Sequence, residues 1–138
     1  MDQRTFTEWH SGYSVGNSEL DNQHKKILSL CQQSIDCISD DSREGIAKFH
    51  LILNELAEYV DQHFRTEEAF LKACGYPQLA QHIEEHFEYR RKLTELLIGA
   101  TFGEVDKDSL YRYLAVWWYE HILTADKQYA AFIRTVDK

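Results

Sequence analysis

The chain has 138 residues, 43% of them hydrophobic and 13% aromatic, and carries a formal net charge of −8. This size suits a single domain over residues 1–138, with enough apolar side chains for one well-packed core. The acidic charge argues against binding to nucleic acid or to an anionic membrane, because both need a basic surface.

The predicted elements are helical throughout, because one proline and six glycines leave few breaks in the chain. Residues 1–17 look like an irregular arm. Ser18 is expected to cap the first helix, Gly75 and Pro77 to close the second, and Asp106 to cap the fourth. The predicted helices span residues 19–39, 43–74, 77–100 and 107–124, followed by a short terminal helix over 127–136.

Apolar residues recur along these helices at alternating steps of three and four, which is the pattern of a helix with one buried face. With short connections between the helices, the pattern predicts an all-α fold. We expect an antiparallel up-down-up-down four-helix bundle with an irregular N-terminal arm and a short C-terminal helix.

Neither a signal peptide nor a membrane span is expected, because residues 1–9 are polar and the apolar run over 114–119 is far too short. The three cysteines fit no C-x-x-C pattern, so we expect reduced thiols, two of them buried, and no disulfide. These features favour a cytoplasmic protein.

Five of the seven histidines fall on the stripes that should face the bundle interior. Burying imidazoles without partners is costly, and a shared metal site would remove that cost. In an up-down-up-down bundle the starts of helices one and three meet the ends of helices two and four, so all five fall in one half of the bundle. These histidines are His24, His63, His82, His86 and His121.

The spacing of these residues suits a metal centre. His63 and Glu67 are four residues apart, as are His82 and His86, so each pair lies on one helix face. Calcium and magnesium fit poorly, because the ligands are not all oxygen. No thiol joins the set, and imidazole with carboxylate fits iron, manganese, zinc or copper. The spacing does not choose among these four metals. Five imidazoles with carboxylates exceed the four ligands of a structural zinc site, which suggests two ions bridged by carboxylates.

Asp126 does not fit a regular helix as a ligand beside His121. Five residues apart, the two side chains would point about 140° away from each other, so the spacing alone disfavours Asp126. A local π-bulge or a loosened helix end would bring them together.

Other polar residues near the predicted site are assigned simpler roles. His10 and His50 are expected to be non-ligands, and Glu68 is expected to be solvated. Glu84 and Glu85 should face water or pair with Arg90 or Lys92, and the alternative is that one of them accepts an imidazole N–H.

Four segments of the sequence carry a resemblance to a known family. They are V-G-N-S-E-L-D-N-Q-H-K, H-F-R-T-E-E, C-G-Y-P ahead of H-I-E-E-H, and W-W-Y-E-H-I-L-T-A-D. This combination resembles the hemerythrins, in particular the bacterial hemerythrins, and the matching parts span residues 9–126. The resemblance implies a four-helix bundle with a non-haem di-iron site that binds dioxygen reversibly.

The resemblance also implies how the ligands divide between the two irons. Three histidines would hold one iron, two would hold the other, and two carboxylates would bridge them together with an oxo or hydroxo ligand. The second iron would then keep an open position for dioxygen. In that order the implied ligands are His82, His86 and His121, then His24 and His63, then Glu67 and Asp126.

An apolar shell around the irons would exclude water and prolong the oxygenated form. Its candidate members are Ile27, Phe64, Trp117 and Ile122. Trp118 stands where the family is expected to carry a leucine-like aliphatic residue. If Trp118 lines the pocket, it narrows dioxygen access or alters autoxidation.

Three classes of function compete. The leading one is a dioxygen carrier, store or scavenger that is not an enzyme. The alternatives are an oxygen or redox sensor module and a di-iron peroxidase or nitric-oxide-handling enzyme. A gene longer than these residues would favour the sensor, whereas the starting Met1 suggests a free-standing protein. The predicted site has no Glu-x-x-His pair of the ferritin-like kind, which argues against an oxidase. We expect dioxygen as the partner and a monomer, with any protein partner left open.

Overall fold

The computed structural model describes residues 6–104 and 106–136, and these contain helices and no strand. Three long helices are α1 (Ser18–Cys37), α2 (Arg43–Ala73) and α3 (Leu79–Thr101). A fourth helical run follows, and its α-helical and π-helical segments alternate. In chain order they are α4 (Lys107–Tyr111), the π-segment Arg112–Val116, α5 (Trp117–His121), the π-segment Ile122–Asp126 and α6 (Lys127–Val136).

The helices pack as the predicted bundle. Helix α1 contacts α2, α2 contacts α3, and the π-segment Arg112–Val116 contacts both α1 and α3. The all-α fold is therefore confirmed, with α6 as the short C-terminal helix. The described part of the arm includes the 3₁₀ turn Ser11–Tyr13. No helix among the described residues is both long enough and apolar enough to cross a membrane.

Local signals explain where the helices begin and end. The N-cap of α1 is Asn17 and not the predicted Ser18, because the Asn17 side chain accepts the N–H of Leu20 and Ser18 already has a helical backbone. Asp106 caps α4 as expected. Gly75 closes α2 with a φ of 71°, a left-handed conformation that favours glycine.

The apolar pattern predicts that Ile46 and Trp117 face the bundle interior, and the structure differs at both places. Ile46 is 51% exposed, because it lies in the first turn of α2 at the end of the bundle. In the fourth run Trp118 is fully buried and Trp117 is only half-buried. The wider turn of the preceding π-segment moves the inward position on by one residue.

Two apolar clusters position the site. The larger cluster fills the bundle from its far end up to Phe64 and Trp118. The smaller one includes Leu20, Leu71 and Tyr129 and packs α6 against the beginning of α1 and the end of α2.

All three cysteines are free thiols, but only Cys31 is buried, so the prediction of two buried thiols is wrong by one.

Candidate metal centre

Seven polar side chains meet between the two apolar clusters, and each is at most 6% exposed. Every helix of the bundle contributes at least one of them, because the inward stripes of all four reach the same level. The structure thus brings together all seven ligands expected from the sequence: His24, His63, Glu67, His82, His86, His121 and Asp126.

Three of the histidines surround one side of the two carboxylates, and we call this group the three-histidine position. His82 Nε2 lies 2.6 Å and His86 Nε2 3.1 Å from Oε1 of Glu67. His121 Nε2 lies 3.1 Å from Oδ1 of Asp126. His82 Nε2 is also 3.3 Å from that Asp126 oxygen, so the three imidazoles share one pair of acceptor oxygens.

The remaining two histidines face the other oxygens of the same carboxylates, and we call this group the two-histidine position. His24 Nε2 lies 3.1 Å from Oδ2 of Asp126 and 3.5 Å from Oε2 of Glu67. His63 Nε2 lies 3.4 Å from the same Glu67 oxygen. Each carboxylate therefore presents one oxygen to each position, which is the arrangement of a bridging ligand.

The donor set fits a pair of metal ions. Among the described residues, eight buried side-chain nitrogen or oxygen atoms lack a hydrogen-bond partner. Seven of them belong to this cluster. One is Nδ1 of His24, and the other six are the Nε2 atoms of His24, His63, His86 and His121 and both oxygens of Asp126. Unpartnered buried polar atoms are costly, and coordination of a cation would satisfy them together. The groups Glu67–His82–His86–His121 and His24–His63–Glu67 each have ligand atoms within 4.8 Å of one another.

The charges within the cluster are strongly coupled. Burial alone would lower the pKa of His24, His82 and His121, but contacts with Asp126 and Glu67 outweigh it. These contacts raise the pKa values to about 9 for His24, about 10 for His82 and about 9 for His121. Burial would raise the pKa of each carboxyl, yet the surrounding imidazoles hold both pKa values well below the usual range. The carboxylates are therefore ionised and ready to bind cations.

The position of Asp126 depends on an irregular turn. The π-segment Ile122–Asp126 follows His121 directly, and its wider turn brings residues five apart onto one face. His121 Nε2 and Asp126 Oδ1 consequently lie 3.1 Å apart. The geometric difficulty seen in the sequence is resolved by the π-bulge and not by a frayed helix end.

Contacts on the far side of the imidazoles orient them. The Nδ1–H of His63 donates to Oε1 of Gln23 at 2.7 Å, and the Nδ1–H of His86 donates to Oε2 of Glu68 at 2.7 Å. Nδ1 of His121 lies 3.3 Å from Oε2 of Glu85. Because these contacts occupy Nδ1, they direct each Nε2 towards the carboxylates.

Several residues that contact the expected ligands from outside were not predicted from the sequence. Glu68 was expected to be solvated, but its side chain is only 19% exposed and holds His86, so that expectation is wrong. Glu85 takes the alternative role that the sequence left open. Gln23 and Tyr129 were not singled out, although Gln23 directly precedes a predicted ligand. The hydroxyl of Tyr129 donates to Oε2 of Glu67 at 2.9 Å in the buried interior.

The two remaining histidines lie outside the cluster. His10 packs on Tyr13 in the arm, with ring centroids 3.9 Å apart. His50 lies beside Phe49 and lines an apolar surface pocket at the other end of the bundle.

Aromatic side chains cover the imidazoles. The ring of Phe64 stacks on His86 with centroids 3.7 Å apart, and Trp117 stacks on His121 at 4.4 Å. The Trp118 ring is centred 6.5 Å from His24, 6.2 Å from His63 and 6.3 Å from His121, so it borders the two-histidine position and also approaches one ligand of the other position. Ile27 and Ile122, the other predicted shell residues, are fully buried in the same core cluster.

The chain is similar to known proteins over most of its length. A family model described as the hemerythrin HHE cation binding domain matches residues 15–133. The bacteriohemerythrin of Clostridium acetobutylicum is 27% identical over 124 residues, covering 88% of this chain and 96% of that protein. The bacteriohemerythrin of Methylococcus capsulatus is 32% identical over 127 residues, covering 91% of this chain and 92% of that protein.

Solved structures show the same fold. A crystal structure of a hemerythrin variant with a leucine-to-tyrosine substitution superposes with a TM-score of 0.81. The sequence identity is 26%, and the match covers 90% of this chain and 94% of the other.

Proposed function

This chain belongs to the hemerythrin family, and on that premise we propose that it binds dioxygen reversibly at a non-haem di-iron centre. One observation carries the proposal. The two oxygens of Glu67 and of Asp126 divide five buried Nε2 atoms into a group of three and a group of two. Two ferrous ions held side by side would supply the two electrons that reversible oxygen binding requires.

The ligands of the two positions are assigned from this geometry. We assign His82, His86 and His121 to one iron and His24 and His63 to the other. Glu67 and Asp126 would bridge, because each presents one oxygen to each group. With one histidine fewer, the two-histidine position is the place where dioxygen would bind.

The protein around the cluster supports carriage. Fully buried Phe64 and Trp118 cover the imidazoles with hydrocarbon and keep water away. Five imidazoles and only two buried carboxylates form a ligand set with little negative charge. Such a set stabilises highly oxidised iron less than a carboxylate-rich set does, so we propose a non-enzymatic role.

The acidic chain with free thiols suits a cytoplasmic protein. We propose a monomer that acts as carrier, store or scavenger of dioxygen.

Reversible colour change tests the proposal. The protein would be loaded with ferrous iron without air, exposed to oxygen and then deoxygenated. We expect two irons per chain and a charge-transfer absorption that appears with oxygen and disappears when oxygen is removed. His50→Gln is a matched control, because His50 lies on the same helix as His63 but outside the cluster, and it should behave as the wild type. His63→Gln should lose the colour. Irreversible bleaching of the wild type, or sustained turnover of peroxide, would contradict carriage.

A further inference from the structure

We propose that the groups behind the ligands make the two metal positions unequal, so that the three-histidine position binds the first metal ion and holds it more tightly. This inference rests on the proposed pair of metal positions.

Two carboxylates stand behind the three-histidine position. Oε2 of Glu68 accepts the Nδ1–H of His86, and Oε2 of Glu85 faces Nδ1 of His121. A carboxylate in this place pushes electron density through the imidazole and makes Nε2 a stronger donor. The three-histidine position therefore has two ligands with an anionic partner.

These two carboxylates differ in how strongly their negative charge acts on the imidazoles. Glu68 is 19% exposed, and Nη1 of Arg90 lies 3.7 Å from its Oε2. The same guanidinium donates from Nε to Asp61 at 3.0 Å, so its positive charge is shared between two carboxylates. Glu85 is 42% exposed, and solvent screens its charge more. Glu68 should consequently have the larger effect of the two.

The two-histidine position has no anionic partner behind its imidazoles in the described part of the chain. His63 donates to Gln23, a neutral amide. Nδ1 of His24 is buried and has no hydrogen-bond partner among residues 6–104 and 106–136. Neither imidazole receives the electron density that Glu68 and Glu85 supply on the other side.

Tyr129 increases the difference through a shared ligand. Its hydroxyl donates to Oε2 of Glu67, the oxygen that faces His24 and His63. A hydrogen bond to this oxygen withdraws charge from it and weakens it as a donor to a cation. Oε1 of Glu67, which faces His82 and His86, receives no such hydroxyl from any residue that the structure describes. The contacts made by Glu68, Glu85, Gln23 and Tyr129 thus all favour tighter metal binding at the three-histidine position.

Cobalt(II) titration of the metal-free protein tests the order of loading, with visible absorption and calorimetry as readouts. In the wild type we expect two cobalt ions per chain, bound in two resolved steps. Glu68→Gln together with Glu85→Gln should weaken the tighter step by roughly 10- to 100-fold, the usual effect of removing an outer partner, and leave the looser step unchanged. The matched control Glu84→Gln, an exposed neighbour on the same helix, should change neither step.

A substitution with the opposite effect makes the test sharper. Gln23→Glu places a carboxylate behind His63 and should tighten the looser step by roughly tenfold, so that the two steps approach each other. Far-UV circular dichroism of each metal-free variant checks that the helices are retained.

The inference is overturned if both cobalt ions bind the wild type in one unresolved step, or if the double glutamate variant weakens the looser step. Failure of reversible oxygenation alongside two resolved cobalt steps would contradict the proposed oxygen carriage alone. Cobalt binding in a stoichiometry other than two per chain would overturn the paired site and this inference together.

Discussion

The indole N–H of Trp118 donates a hydrogen bond of 2.8 Å to the hydroxyl of Tyr89. That hydroxyl in turn donates to the carbonyl of Tyr113 at 2.7 Å. Trp118 and Tyr89 are both fully buried, so the indole has one fixed orientation and no free polar atom. It presents only its ring to His24 and His63, at the position where we propose that dioxygen binds.

Trp118→Leu should therefore open the two-histidine position. The smaller side chain leaves space beside His24 and His63, and small anions should enter the oxidised, iron-loaded protein faster than in the wild type. The lost packing should cost about 2 kcal/mol of unfolding free energy, below the usual cost of truncating a buried tryptophan to alanine. Azide binding followed by stopped-flow absorption measures the entry, and urea denaturation measures the stability.

Trp117→Leu is the matched control for this experiment. Trp117 is half-buried and stacks on His121, on the other side of the centre. Its substitution should leave azide entry close to the wild-type rate. Equal acceleration by both substitutions would show that Trp118 does not restrict the position.

Metal affinity should rise with pH. The raised pKa values of His24, His82 and His121 mean that these imidazoles are protonated in the metal-free protein at neutral pH. Metal ligation needs them neutral, so binding releases protons and strengthens from about pH 7 to about pH 9. Cobalt calorimetry in buffers of different ionisation enthalpy measures the protons released.

The stability of the metal-free protein should change in the opposite direction. A raised imidazole pKa stabilises the fold fully below the ordinary value of 6.5, and this contribution is lost as pH rises through about 9 to 10. The difference in melting temperature between cobalt-loaded and metal-free protein should widen over that range. A constant difference, with a cobalt affinity independent of pH, would contradict the protonated imidazoles.

The three thiols should react at two distinct rates. Cys31 is buried, and burial raises the pKa of its thiol far above the ordinary value. Cys37 and Cys74 are partly exposed. At neutral pH a thiol reagent should modify two cysteines of the native protein quickly and the third only on unfolding. Cys31→Ala should lose the slow reaction alone, whereas three fast thiols in the wild type would refute the assignment.

Deletion of Thr124 should be tolerated by the metal centre. Thr124 is exposed within the π-segment Ile122–Asp126, and its removal places the aspartate four residues after His121. In a regular α-turn that spacing still keeps both side chains on one face. We expect two cobalt ions per chain, as in the wild type.

Deletion of Glu84 is the contrasting variant. Glu84 lies between His82 and His86 in the regular helix α3, so its removal rotates one histidine by about 100° relative to the other. The three-histidine position should be lost. If the Thr124 deletion abolished cobalt binding as completely, the π-turn would be required for more than the spacing of His121 and Asp126.

Much of the centre was predictable because it depends on periodicity within single helices. His63 and Glu67, like His82 and His86, share a face in any regular helix, whatever surrounds it. The order of the helices then places these pairs of residues at similar heights along the bundle axis, in the same half of an antiparallel bundle. For this reason the fold and the convergence of five histidines could be derived from the sequence.

The tertiary structure alone decided the rest, because those features depend on how neighbouring helices are rotated and on where a turn widens. Asp126 reaches the centre only through a π-turn, and the same kind of turn buries Trp118 in place of Trp117. The contacts of Gln23 with His63 and of Glu68 with His86 join residues 40 and 18 positions apart on different helices. A rotation of one residue would break these contacts and leave the apolar pattern almost unchanged. The spacing of residues along single helices therefore determined the five histidines and Glu67 as candidate ligands. The π-turn placed Asp126 beside them, and packing between helices determined the groups behind the imidazoles.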